Sequence, residues 1–133
     1  VRNSGEWTEG RYRSFITSTL RGGMRRWPPK WETLKDAFAG KKVNKKTGKQ
    51  AMHYTCACCN KQYVAKDVQV DHVNPVVDTS TGFVSWDVYI DRLFCEKENL
   101  QILCSACHKE KTGKEKTDAK RGRSVVTPHN KTV

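Results

Sequence analysis

Apolar residues recur at helical spacing in several stretches of this chain and form short extended runs in two others. In residues 11–20, Tyr12, Phe15, Ile16 and Leu20 fall on one face, and Gly22-Gly23 closes the run. This predicts a short, basic, amphipathic helix. Pro28-Pro29 precedes Trp31, Leu34, Lys35 and Phe38, which read as a second helix, because a proline in the first turn withholds only an amide that has no helical partner. Residues 40–51, with Asn44, Gly48 and five lysines, read as a mobile loop. In residues 68–73 apolar and polar side chains alternate as in a half-buried strand, and Asn74-Pro75 ends it. Trp86, Tyr89, Ile90, Leu93 and Phe94 share a helical face behind Ser85, a suitable N-cap. Leu100, Gln101, Ile102 and Leu103 are short and apolar enough for a second strand. Residues 105–112 then read as a helix closed by Gly113. The polar stretch from Lys114 onward reads as disordered.

The succession of two helices, strand, long connection, strand and helix predicts an α+β fold with one domain and extensions. The expected organisation is a basic helical arm over residues 1–53, a core over 54–113 and a basic tail over 114–133. With 133 residues and 36% hydrophobic content the chain cannot bury a large core, so a metal staple would offset the deficit. Trp27 and Trp31 are expected to dock the arm on the lobe that carries the zinc-binding cysteines rather than to stack on bases.

The cysteines supply such a staple. Cys56 and Cys59 form one C-x-x-C pair, and Cys104 and Cys107 form another that runs directly into His108. A two-residue spacer lets both sulfurs of a pair reach one ion from a tight turn, so these four are the expected cage of a structural Zn²⁺. Cys58 is a competing ligand, but the pair Cys56 and Cys59 mirrors the second knuckle. Cys95 reads as a small buried hydrophobe. The 44 residues between the pairs exceed a simple finger and contain Asp71-His72, candidates for an active site. Six cysteines are too few for a disulfide scaffold in a chain this long, and no apolar leader or membrane span stands out. A reducing cytoplasm is the expected compartment.

Charge adds a partner. Of the net +11, residues 1–53 hold 13 Lys/Arg against 4 Asp/Glu, residues 54–108 hold 4 against 7, and residues 109–133 hold 8 against 3. Two basic arms around a slightly acidic centre suit a phosphate backbone tracked by the arms and cations held between them. Arg11, Arg13, Arg21, Arg25, Arg26, Lys109, Lys111 and Lys114 are the candidate contacts to double-stranded DNA. Lys41, Lys42, Lys45 and Lys46 suit a phosphate contact or a solvated linker equally well. His53 and His129 carry no motif and read as solvated.

The stretch from Tyr54 to Thr112 resembles the HNH endonucleases. The residues that carry the likeness are Cys56 and Cys59, Val70-Asp71-His72 with Asn74-Pro75, Glu98-Asn99-Leu100-Gln101, and Leu103-Cys104 through Cys107-His108 to Lys111-Thr112. Asn60 stands where that family usually has glycine, and asparagine tolerates the left-handed backbone such a turn needs. With Gly82 to Trp86 and Arg92 to Phe94, the chain is also similar to small free-standing HNH proteins of tailed bacteriophages. The resemblance implies a ββα-metal core with a four-cysteine zinc knuckle. It implies His72 as general base, Asp71 and His108 as ligands of a catalytic divalent ion, and Asn99 as the brace that orients the base histidine. It further implies hydrolysis of DNA to 5′-phosphate and 3′-hydroxyl ends, action in a host cytoplasm, and phage terminase or other packaging proteins as partners.

The chemistry has reasons of its own. Cutting a phosphodiester needs an activated water and stabilisation of charge on the phosphate and the leaving oxygen, which an imidazole and a divalent ion can supply. A carboxylate beside an imidazole suits Mn²⁺, Co²⁺ or Ni²⁺ at least as well as Mg²⁺. On a regular strand, however, Asp71 and His72 would point to opposite faces, and only a strand end or bulge would let both serve one site. Alone, Asp71-His72 is an ordinary surface dipeptide, Asn99 a common turn residue and His108 a neighbour of the zinc site. An HNH scaffold without catalysis, serving as a zinc-knuckle DNA-binding or packaging protein, is the alternative.

Overall fold

Residues 1–125 are described by a computed structural model, with the backbone alone for residues 118–125. Its α+β fold begins with helix α1 (Glu9–Gly22), extended by a 3-10 turn (Gly23–Arg26), and helix α2 (Pro28–Ala37). Strands β1 (Phe38–Val43), β2 (Gln50–Thr55) and β3 (Gln62–Val64) form an antiparallel sheet in that order. Strand β4 (Val68–His72) pairs antiparallel with β5 (Leu100–Cys104), and between them in sequence lies helix α3 (Trp86–Leu93). Helix α4 (Ser105–Val125) follows β5 without a break.

The helix starts obey capping chemistry. Thr8 Oγ1 accepts the amide of Arg11 at 3.1 Å, and Ser85 Oγ accepts that of Val88 at 3.2 Å, so each satisfies an amide the helix leaves free. Pro28 and Pro29 open α2 as the sequence predicts.

Two small cores carry the packing. Val76, Tyr89 and Leu93 are buried together, with Leu20 and Met24 of the arm and Val77, Phe83, Trp86 and Phe94 around them. The second core is Cys56, Leu103 and Cys104, covered by Cys59, Tyr63 and Cys107. Trp27 ties the arm to the first core: its ring packs 5.5 Å from that of Phe94, and its Nε1 donates to Cys95 O at 2.7 Å. Trp31 stays 52% exposed, so of the two tryptophans only Trp27 anchors the arm, and it does so on the end of α3 and not on the cysteine lobe as expected. Cys95 is half-buried rather than buried.

Three expectations are corrected. The lysine-rich stretch 40–51 is a hairpin, not a loop: Lys41 faces Met52 and Val43 faces Gln50 across the β1–β2 ladder. Gly40, with φ +104°, sits at a bulge in β1, and Asn44 with Gly48 closes the turn, so both glycines shape strand ends instead of breaking them. Helix α4 does not stop at Gly113, and the tail from Lys114 is helical to Val125 rather than disordered. Two side-chain links span that glycine: Lys111 Nζ to Glu115 Oε2 at 2.6 Å, and Thr117 Oγ1 donating to Gly113 O at 3.0 Å. Ile90 is exposed while Tyr89 and Leu93 are buried, so the apolar face of α3 is narrower than its sequence suggested. Strand β2 crosses the expected boundary between residues 53 and 54. His129 lies outside the described residues. Among these, no helix is long and apolar enough to cross a membrane.

Candidate functional site

The four knuckle cysteines converge. The sulfurs of Cys56, Cys59, Cys104 and Cys107 all lie within 4.8 Å of one another, a spacing that suits one tetrahedral metal ion. The first knuckle is shaped by Cys56 N donating to Lys61 O at 2.9 Å and Asn60 N donating to Cys56 O at 2.9 Å, with Asn60 in the left-handed region at φ +61°. Ala57 N donates to Ile102 O at 2.8 Å and fixes this turn to β5. The second knuckle is the junction of β5 and α4, where the helix amides point at sulfur: Cys107 N lies 3.5 Å from Cys104 Sγ.

These donors favour thiolate. The Cys107 amide lowers the Cys104 pKa, and a hydrogen bond with the Tyr63 hydroxyl at 3.3 Å lowers that of Cys59. At Cys56 burial opposes ionisation, but the backbone donors of Cys59, Cys104 and Cys58 outweigh it. Cys107 is pushed the other way, chiefly by its hydrogen bond to Cys104. Cys58 is exposed and stands outside the group.

The β4–β5 register is regular from Val68 opposite Cys104 to His72 opposite Leu100, with no bulge. Successive side chains of β4 therefore alternate, and the expected relaxation that would bring Asp71 and His72 onto one face does not occur within the strand. Asp71 points toward α4. Its Oδ1 lies 3.7 Å from His108 Nε2, and its Oδ2 is 3.0 Å from Gln101 Nε2 and 3.1 Å from Lys111 Nζ. His72 turns the other way, its Nε2 2.8 Å from Leu93 O, and lines a cleft of about 530 Å³ between the arm and the ribbon, together with Arg21, Lys30, Trp31 and Val70.

Asn99 clamps the loop that follows His72. Its Oδ1 accepts the amide of Asn74 at 2.9 Å, its Nδ2 donates to Asn74 O at 3.4 Å, and its carbonyl accepts the amide of Val73 at 2.8 Å. On the far side Arg92 Nε donates to Pro75 O at 2.9 Å. Both the position and the exit direction of His72 are thereby held by groups from β5's approach and from α3.

The structure thus brings Asp71 and His108 together, turns His72 to the opposite face of the ribbon, and sets Asn99 against the loop that follows His72. Asp71 and His108 supply an oxygen and a nitrogen donor, a set that fits a divalent ion. Lys111, expected at DNA, instead sits in this cluster: it also donates to His72 O at 3.0 Å. Nothing in its sequence context marked this role except its place three residues after His108. Lys109 and Lys114 are exposed on α4.

The candidate DNA-binding arginines of the arm, Arg11, Arg13, Arg21, Arg25 and Arg26, are all exposed, and three of them lie over aromatic rings. Arg11 is 4.7 Å from the centroid of Trp7, Arg13 4.5 Å from that of Phe83, and Arg21 6.0 Å from that of Tyr89. His53 is half-buried with Nδ1 2.9 Å from Ala51 O.

No family model, curated protein or solved structure matches the chain.

Proposed function

We propose that the chain is a metal-dependent DNA endonuclease of the HNH type, with β4, β5 and α4 as its ββα-metal core and a structural Zn²⁺ in the four-cysteine group. The observation that carries the reading is the meeting of Asp71 and His108 at 3.7 Å where β4 crosses α4, beside a strand-end histidine whose loop is clamped by Asn99. Asp71 and His108 would hold a catalytic divalent ion, Mn²⁺, Co²⁺, Ni²⁺ or Mg²⁺. When bound, that ion neutralises charge on the scissile phosphate and the departing 3′-oxygen. His72, its ring held by Leu93 O, takes the proton of the attacking water. The exposed arm arginines with Lys109 and Lys114 hold the flanking backbone of double-stranded DNA. Phage packaging proteins, terminase among them, remain the proposed partners in a host cytoplasm.

One observation favours the second reading, a non-catalytic zinc-knuckle DNA-binding or packaging protein. The carboxylate proposed for the metal is already paired with Lys111. Incubating supercoiled plasmid with zinc-loaded protein and Mn²⁺ separates the two: the endonuclease yields nicked or linear DNA, whereas the binder shifts mobility and leaves the plasmid supercoiled.

A further inference from the structure

We infer that Lys111 is a tethered counter-ion of Asp71 that competes with a divalent cation for this carboxylate, so that the lysine lowers the metal affinity of the site. The inference rests on the proposed reading of Asp71 and His108 as a metal centre.

The ammonium of Lys111 has three hydrogens and three acceptors: Asp71 Oδ2 at 3.1 Å, Glu115 Oε2 at 2.6 Å and His72 O at 3.0 Å. Its side chain is only 23% exposed and that of Asp71 only 12%, so solvent screens this pair less than it would a surface pair.

Asp71 divides its two oxygens. Oδ2 serves Lys111 and Gln101, while Oδ1 faces His108. A cation held between Oδ1 and His108 Nε2 therefore lies across a single carboxylate from a fixed positive charge. Each cation weakens the hold of the other on Asp71, and their direct repulsion adds to this.

The helix provides a second seat. His108, Lys111 and Glu115 lie at spacings of three and four residues, hence on one face of α4. Glu115 can keep the ammonium when Asp71 is given up to a cation. The donor released from Asp71 is then open to an anionic oxygen, such as that of a bound phosphate. Lys111 is in this account a positioning residue that exchanges one anion for another.

The test is the binding of Mn²⁺ to the zinc-loaded full chain without DNA, followed by loss of the free-ion paramagnetic resonance signal. Lys111→Met and Lys111→Gln should each bind Mn²⁺ about tenfold tighter or more, the scale of one lost charged partner. Glu115→Gln, which removes the second seat, should bind it more weakly than wild type. Retained zinc content establishes that each variant is folded. Equal or weaker binding in both Lys111 variants, with Asp71→Asn still abolishing it, would overturn the inference while leaving the metal centre intact. Binding that Asp71→Asn does not weaken would overturn the metal centre itself, and the inference with it.

Discussion

Asp71 and His72 are adjacent in sequence and face away from each other in space, one toward α4 and the other toward Leu93 and the arm. The period of two in a strand already contains this separation, and the regular pairing with Gln101 and Leu100 preserves it. The proposed function needs both residues near the strand end, where the chain leaves the ladder after His72 and Asn99 grips the departing loop. Replacing Asn99 with alanine removes its two side-chain bonds to Asn74, keeps the carbonyl bond to Val73, and does not touch Asp71 or His108. Plasmid cleavage should then fall about 10- to 100-fold while Mn²⁺ affinity stays near wild type, in line with the loss of an outer-shell support. Equal loss of both would mean that Asn99 braces the whole site rather than the histidine.

Among the elements, those with a strong apolar period were legible in the sequence. Helices α1, α2 and α3 and strands β4 and β5 lie where Leu20, Leu34, Leu93, Val70 and Ile102 placed them. The hairpin β1–β2 was not, because its pattern is erased by exposed lysines and its glycines mimic a linker. The length of α4 was hidden for a related reason: Gly113 reads as a stop, and only the links of Lys111 to Glu115 and of Thr117 to Gly113 show how the helix passes it. The knuckles were fully readable, since a fixed spacer leaves the sulfurs little choice. Their energetic weight is testable at this scale. The core they cover is three buried residues, Cys56, Leu103 and Cys104, too few to hold without an ion. Replacing Cys104 with serine, or removing zinc with a chelator, should therefore abolish the cooperative thermal transition. A folded, active protein shown by elemental analysis to hold no zinc would contradict this.

Across the whole molecule the basic arm and the face that carries Asp71 and His108 lie on either side of the β4–β5 ribbon, joined through Trp27 and the cleft that His72 lines. Arg21, Arg25 and Arg26 project from the arm, exposed, and phosphate contacts of this kind position a protein without reading bases. Neutralising all three should weaken DNA binding by a similar factor on every sequence and flatten its salt dependence by up to about three counter-ions. The rate of cleavage at saturating DNA should change less than the affinity. An unchanged affinity and salt slope would leave these three arginines no part in DNA binding.

The proposed division of labour between two histidines is read from the nicking rate of supercoiled plasmid, followed against Mn²⁺ concentration in wild type, His72→Ala and His108→Ala. Loss of the base in His72→Ala should lower the rate by about two orders of magnitude or more at every metal concentration, with DNA still bound. Loss of a ligand in His108→Ala should shift the metal requirement upward and be partly restored by added Mn²⁺. Restoration of His72→Ala by metal with none for His108→Ala would reverse the two roles, and supercoiled plasmid left uncut by the wild-type protein at all metal concentrations would contradict the account as a whole.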